Sequence, residues 1–113
     1  MHNTVCLIGR LTNTPKIQEL ENGAKTTTIN VAVQRDFKNE KGIYETDFFE
    51  VQLWDAIAIN TCVYCQKGDL VGIKGRLQNF NYEDENGNKK MKIMVIAEKI
   101  SYLASKKQDM EEV

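Results

Sequence analysis

Trp54 and Phe48 could stack against flat, unsaturated partners, because the apolar face of their own segment does not need either ring. In Asp47-Phe48-Phe49-Glu50-Val51-Gln52-Leu53-Trp54, Phe49, Val51 and Leu53 make one apolar set. Phe48 and Trp54 fall in the other set, with Glu50 and Gln52 between them. Side chains alternate along a strand, so the two sets point to opposite faces. Phe37 and Tyr82 sit beside polar turn sequences. Rings on the wet face of a small β domain are suited to stacking nucleic-acid bases, since every base has a π face. The plain alternative is a face covered by a helix or loop, because tryptophan is highly buried on average.

The neighbouring cations fit the same chemistry. Arg10, Arg35, Lys74 and Arg76 lie within or at the ends of candidate strands, from which long side chains reach phosphates. Lys90 and Lys92 flank the second polar hairpin, with Lys89 beside them. Phe80 shares the parity of Tyr82 and is a further ring candidate. Each cation has a plainer role as a solvated charge beside an acid. For Arg35 the adjacent Asp36 is a direct rival partner.

Other chemistry finds little support. Cys62-x-x-Cys65 lacks the second pair that a structural zinc site needs, and the sole histidine, His2, is next to the N-terminus. Val63 between the two cysteines favours small core residues over ligands or a redox pair. With no Gly-rich phosphate loop and no His-Glu-x-x-His motif, neither hydrolysis nor phosphoryl transfer is expected. No metal, cofactor or catalytic residue is assigned.

These side chains must be positioned by short strands. The first runs from about Asn3 to Leu11 and is largely apolar on both faces, so cover on both sides is expected. Thr14-Pro15 interrupts it, and 16–20 could continue its edge after a bulge. The second covers about 25–35, with Ile29, Val31 and Val33 on one face. Residues 36–46 read as a long polar hairpin turning near 39–42, and the third strand as 46–54. Asp55 is placed to cap a helix over roughly 56–66, with Ile59, Cys62, Val63 and Cys65 on its apolar face and Ile57 and Ala58 adding a broad first turn. Lys67-Gly68 ends it. A fourth strand covers about 70–79 and a fifth about 90–103, around a polar hairpin at Asn86-Gly87. The fifth puts Met91, Ile93, Val95 and Ala97 on one face and Met94, Ile96, Ile100 and Tyr102 on the other. That apolar excess suggests a partner subunit.

Three strands, a short helix and two more strands is the order of an all-β, five-stranded oligonucleotide-binding (OB-fold) barrel with long hairpin loops. The 113 residues fit one such domain over 1–104, followed by a short polar tail over 105–113. No run is long and apolar enough for a transmembrane helix, and no secretory signal opens the chain. Three sparse cysteines point to a reducing cytoplasm, and no membrane partner is expected. The net charge of −1 argues against a simple basic DNA binder. Residues 1–105 nevertheless hold thirteen basic and thirteen acidic groups, and Glu83, Asp84 and Glu85 cluster, so a local basic groove is compatible with neutrality.

The segments 3–15 (NTVCLIGRLTNTP), 32–37 (AVQRDF), 47–54 (DFFEVQLW) and 64–76 (YCQKGDLVGIKGR), with Tyr82 and its turn, resemble the bacterial single-stranded DNA-binding protein family. The resemblance spans about 1–104 and is nearest to short members of that family. It implies a homotetramer, with a dimer as the alternative, that coats single-stranded DNA without sequence preference in replication, recombination or repair. It carries the stacking role to Phe37, Phe48, Trp54 and Tyr82. Several members have tryptophan at the first two and the last of these positions; here the rings are smaller. The ending Asp109-Met110-Glu111-Glu112-Val113 is acidic but has no Pro-Phe tip, so the resemblance supports DNA coating and not recruitment of replication or repair enzymes. A primosomal protein of the same barrel type and a protein- or RNA-binding barrel are the rival readings.

Overall fold

The computed structural model describes residues 1–105, so all of the expected tail after Ser105 lies outside it. The strands are β1 (Val5–Leu11), β2 (Gln18–Glu19), β3 (Lys25–Lys38), β4 (Tyr44–Trp54), β5 (Leu70–Glu83) and β6 (Lys89–Ala104). One helix, α1 (Asp55–Tyr64), joins β4 to β5. The sheet runs β1-β5-β6-β4-β3-β2, and a further β1–β3 pairing closes five of the strands into a barrel. This is the OB fold expected from the element order.

The alternation within the strands explains the core. Ile29, Val31, Val51, Leu53 and Val71 are inward-facing and fully buried. Partners in the register share a face: Ile29 opposes Val51, and Leu77 opposes Val95. Two glycines permit the tight corners. A Cβ on Gly9 would lie 2.3 Å from the Ala32 carbonyl oxygen, where β1 crosses to β3. A Cβ on Gly75 would lie 2.1 Å from that of Ile96.

Several expectations are corrected. Gln18–Glu19 pairs with β3 and does not extend β1, because the turn around Gly23 folds this segment back. The outer face of β1 is bare, with Ile8 64 % exposed. Both polar hairpins are paired ribbons almost to their tips, leaving turns only at 39–43 and 84–88. Asp55 does not cap the helix. It is the first helical residue, with φ of 49°, and its Oδ1 accepts a 3.2 Å hydrogen bond from the Lys25 N–H. The strand enters the helix with no connecting loop, which forces this left-handed turn on a residue type that tolerates it comparatively well.

The helix buries only part of the expected stripe, together with Thr61. Ala58, Thr61 and Cys65 plug the barrel, whereas Val63 is 69 % exposed and Ile59 is exposed. Their i, i+3, i+7 spacing is a helical face, and the small Ala58 and Thr61 let the helix approach closely. In β6, Gly75 pairs with Ala97 and Lys74 with Lys99, leaving Glu98 as an extra residue. This bulge reverses the alternation, so Ile100 packs against the same core as Val95 and Ala97 instead of facing away from them.

Candidate nucleic-acid interface

The outer face of β4 carries Trp54, Gln52, Glu50 and Phe48 in alternation, and the ladders extend it sideways. Phe48 is opposite Ala32, and Ala32 is opposite Arg10, so Arg10, Ala32 and Phe48 form one row across three strands. Neighbouring strands are about 4.8 Å apart, which brings Arg10 within side-chain reach of the ring. On the other side β4 meets β6 in parallel, Gln52 beside Ile96. Ile96 is opposite Arg76, completing the row Gln52, Ile96, Arg76.

The β5–β6 ribbon continues this face outward. Phe80 is opposite Lys92 and Tyr82 is opposite Lys90, so each ring has a cation beside it. A 2.6 Å ion pair from Lys92 Nζ to Glu50 Oε2 ties this ribbon to β4. Phe48 is 68 % exposed and Tyr82 50 %, while Trp54 and Phe80 are half-buried. Half-burial holds a ring's orientation and leaves one side open. Phe37 is 66 % exposed but falls where the β3–β4 register shifts, between Gln34 and Lys38, so pairing does not fix its face.

Tyr44 was missed by sequence reasoning. It has the parity of Phe48 and Trp54 at the far end of β4, and Lys38 Nζ lies 5.6 Å from its ring centroid. Extending the alternation of β4 back past residue 46 would have found it.

One expected cation, Arg35, is turned away from the rings, and another, Lys74, shares their face at its margin. Arg35 shares the parity of Val33, whose partner is Asp47, so it lies on the opposite face of the β3–β4 ribbon from Phe48. There its Nε and Nη2 donate to Asp47 Oδ2 and Oδ1, both at 3.0 Å, and Nη1 donates to Glu45 Oε2 at 2.8 Å. These bonds raise the Arg35 pKa, chiefly through Asp47, and hold the Asp47 carboxyl below the usual carboxylate range. The rival partner was therefore real, but it is Asp47 across the ladder and not the adjacent Asp36. Lys74 lies in the row Cys6, Lys74, Lys99, one step along β5 from Arg76 toward the bare face of β1.

The remaining cations differ in freedom. Arg76 donates to Gln78 Oε1 at 3.1 Å and lies 3.8 Å from Glu98. Arg10 donates to the Gly68 carbonyl at 3.0 Å. Lys90 has no ion pair among the described residues. Burial pushes the Cys65 thiol up to about 11 and raises that of Cys62, so both favour the protonated form. No group of three or more His, Cys, Asp or Glu converges among the described residues. The face offers π surfaces, amides and cations, but no nucleophile with its base.

The family model described as single-strand binding protein family matches residues 2–103. Over 106 residues the chain is 41 % identical to single-stranded DNA-binding protein B of Bacillus subtilis, with 94 % of each chain covered. It is 39 % identical over 107 residues to single-stranded DNA-binding protein 1 of Clostridium acetobutylicum, covering 94 % of this chain and 97 % of that one. It is 40 % identical over 106 residues to single-stranded DNA-binding protein A of Bacillus subtilis, but spans only 62 % of that relative.

Proposed function

The chain belongs to the single-strand binding protein family, and from that premise we propose that it binds and protects single-stranded DNA without sequence preference. It is a binding protein and not an enzyme. The observation that carries the reading is the single outer face on which Phe48, Trp54, Phe80 and Tyr82 share strand parity with Lys90 and Lys92.

In this mechanism bases stack on Trp54, Phe48 and Tyr82, with Phe37, Phe80 and Tyr44 at the margins. Arg10, Arg76 and Lys90 neutralise the backbone, and Lys92, paired with Glu50, contributes less. Each ring–base stack contributes about 1–3 kcal/mol and accepts any base. A strand held this way cannot reanneal and is shielded from nucleases, as replication, recombination and repair require.

We further propose a homotetramer. The outer sheet of β1, β5 and β6 exposes Ile8 (64 %) and Leu103 (49 %) close to Gly72, an apolar surface suited to a second copy. Several linked barrels raise the effective concentration of the next site and hence avidity.

Titration with oligo-dT, oligo-rU and duplex DNA, followed through the fluorescence of the one tryptophan, tests the reading. Strong quenching by oligo-dT and weak response to duplex are expected. Trp54→Ala, read by anisotropy of labelled oligo-dT, should lose about 1–3 kcal/mol of binding. Absence of binding at low salt would sink the proposal, and equal affinity for oligo-rU would move it to single strands of either sugar.

A further inference from the structure

We propose that Glu50 is a specificity-determining residue of this face, accepting hydrogen bonds from base amino groups and turning phosphates away from its centre. The inference rests on the reading of that face as the DNA site.

Glu50 is an unusual group to find there. It lies between Phe48 and Trp54 on the outer side of β4, opposite Asn30. Its side chain is 44 % exposed. Lys92 Nζ binds its Oε2 at 2.6 Å, and Oε1 has no hydrogen-bond partner among the described residues. The ion pair therefore fixes the carboxylate and leaves acceptor capacity open, since an ionised carboxylate offers about four lone-pair sites and no donor.

Two effects follow from an acceptor-only anion in the middle of a stacking surface. It repels a phosphate and uses up much of the attraction of Lys92, so the backbone runs toward Arg10, Arg76 and Lys90 at the flanks. It also attracts donors on the bases that lie over it. Cytosine, adenine and guanine carry an exocyclic amine; thymine offers only a ring N–H. Carboxylate to cytosine N4 is an established complementary pairing in groove recognition. The rings remain indifferent to sequence, and Glu50 adds a bias toward amine-bearing bases.

The test compares labelled oligo-dC and oligo-dT of equal length by anisotropy at one salt concentration, using the full chain. The quantity read is the ratio of the two affinities, because intrinsic base stacking and overall charge divide out between variants. In Glu50→Gln the dC-to-dT ratio should fall by about threefold or more. Lys92→Met releases the carboxylate but keeps the acceptor, so its ratio should fall less than that of Glu50→Gln. An unchanged ratio in Glu50→Gln with binding intact would overturn the role of Glu50 alone. A fall in Lys92→Met as large as that in Glu50→Gln would also overturn it, since the pair and not the acceptor would then set the bias. Failure of either oligomer to bind the wild-type chain would overturn the stacking face itself, and this inference with it.

Discussion

Arg35 and Asp47 meet edge to edge across the β3–β4 ribbon, with two parallel N–H to oxygen bonds of 3.0 Å, on the side away from Phe48. Both groups are solvent-exposed, so the pair contributes little to global stability. Its geometric effect is larger. A bidentate fork fixes two planes at once, within the Gln34–Lys38 stretch where the register shifts and where Phe37 also lies.

The Asp47 carboxyl should therefore titrate below the usual carboxylate value of about 3.9, and return toward it in Arg35→Gln. Because its folded-state pKa is lowered, by the Arg35 hydrogen bond first, its contribution is present above the unfolded pKa. It is lost as pH falls through the lowered value. Carboxyl carbon shifts followed through an acid titration would read this directly. An Asp47 titration unchanged in Arg35→Gln would contradict the clamp.

Salt dependence should separate the cations by position. Each phosphate neutralised adds about 0.7 to the slope of log affinity against log salt for a single strand. Lys90→Met should lower the slope by about that amount per bound phosphate. Lys74→Gln should leave it unchanged, because Lys74 lies in the row of Cys6 and Lys99 and not beside a ring. Equal reductions would extend the backbone path past Arg76 to Lys74 and overturn the separation.

Gly75→Ala should destabilise the barrel by about 1–3 kcal/mol or more, as forced overpacking does. The added carbon would sit 2.1 Å from a backbone oxygen in the β5–β6 ladder, which cannot swing away as a side chain would. Urea unfolding monitored by circular dichroism gives the number. A midpoint equal to wild type would show that the bulge at Glu98 absorbs the strain.

Assembly should be readable in thiol chemistry. Cys6 lies on the bare outer face of β1, whereas Cys62 and Cys65 have thiols pushed up by burial. In an assembled tetramer all three should react slowly with a disulfide reagent. Ile8→Glu should dissociate the particle by light scattering and give one fast thiol, Cys6. A wild-type chain that scatters as a monomer with Cys6 fast would refute the interface.

Strand alternation makes the face around Phe48 and Trp54 legible in the sequence. It works because one side of β4 packs a core, so a slip of one residue would expose Val51 and Leu53. It fails where the ladder itself is irregular. The extra residue Glu98 moves Ile100 to the core side, and no local pattern announces a bulge. Arg35 departs for a related reason: its reach is evident in the sequence, but its parity is that of Val33 and Asp47, which turns it away from Phe48. In the helix Ala58 and Cys65 face the core as expected, but Thr61 joins them in place of the more apolar Val63 and Ile59, because small size decides which stripe fits the barrel end. Tyr44 was hidden by a strand read as two residues too short.

The seam between β4 and β6 is only two residue pairs long, Val51 with Val95 and Gln52 with Ile96. Beyond it no backbone ladder joins the β3–β4 and β5–β6 ribbons among the described residues, and the Lys92–Glu50 ion pair spans the gap. On the proposed reading, a gap bridged by an exposed ion pair yields at little cost, so wide purines and narrow pyrimidines seat alike on the rings and the remaining preference falls to Glu50.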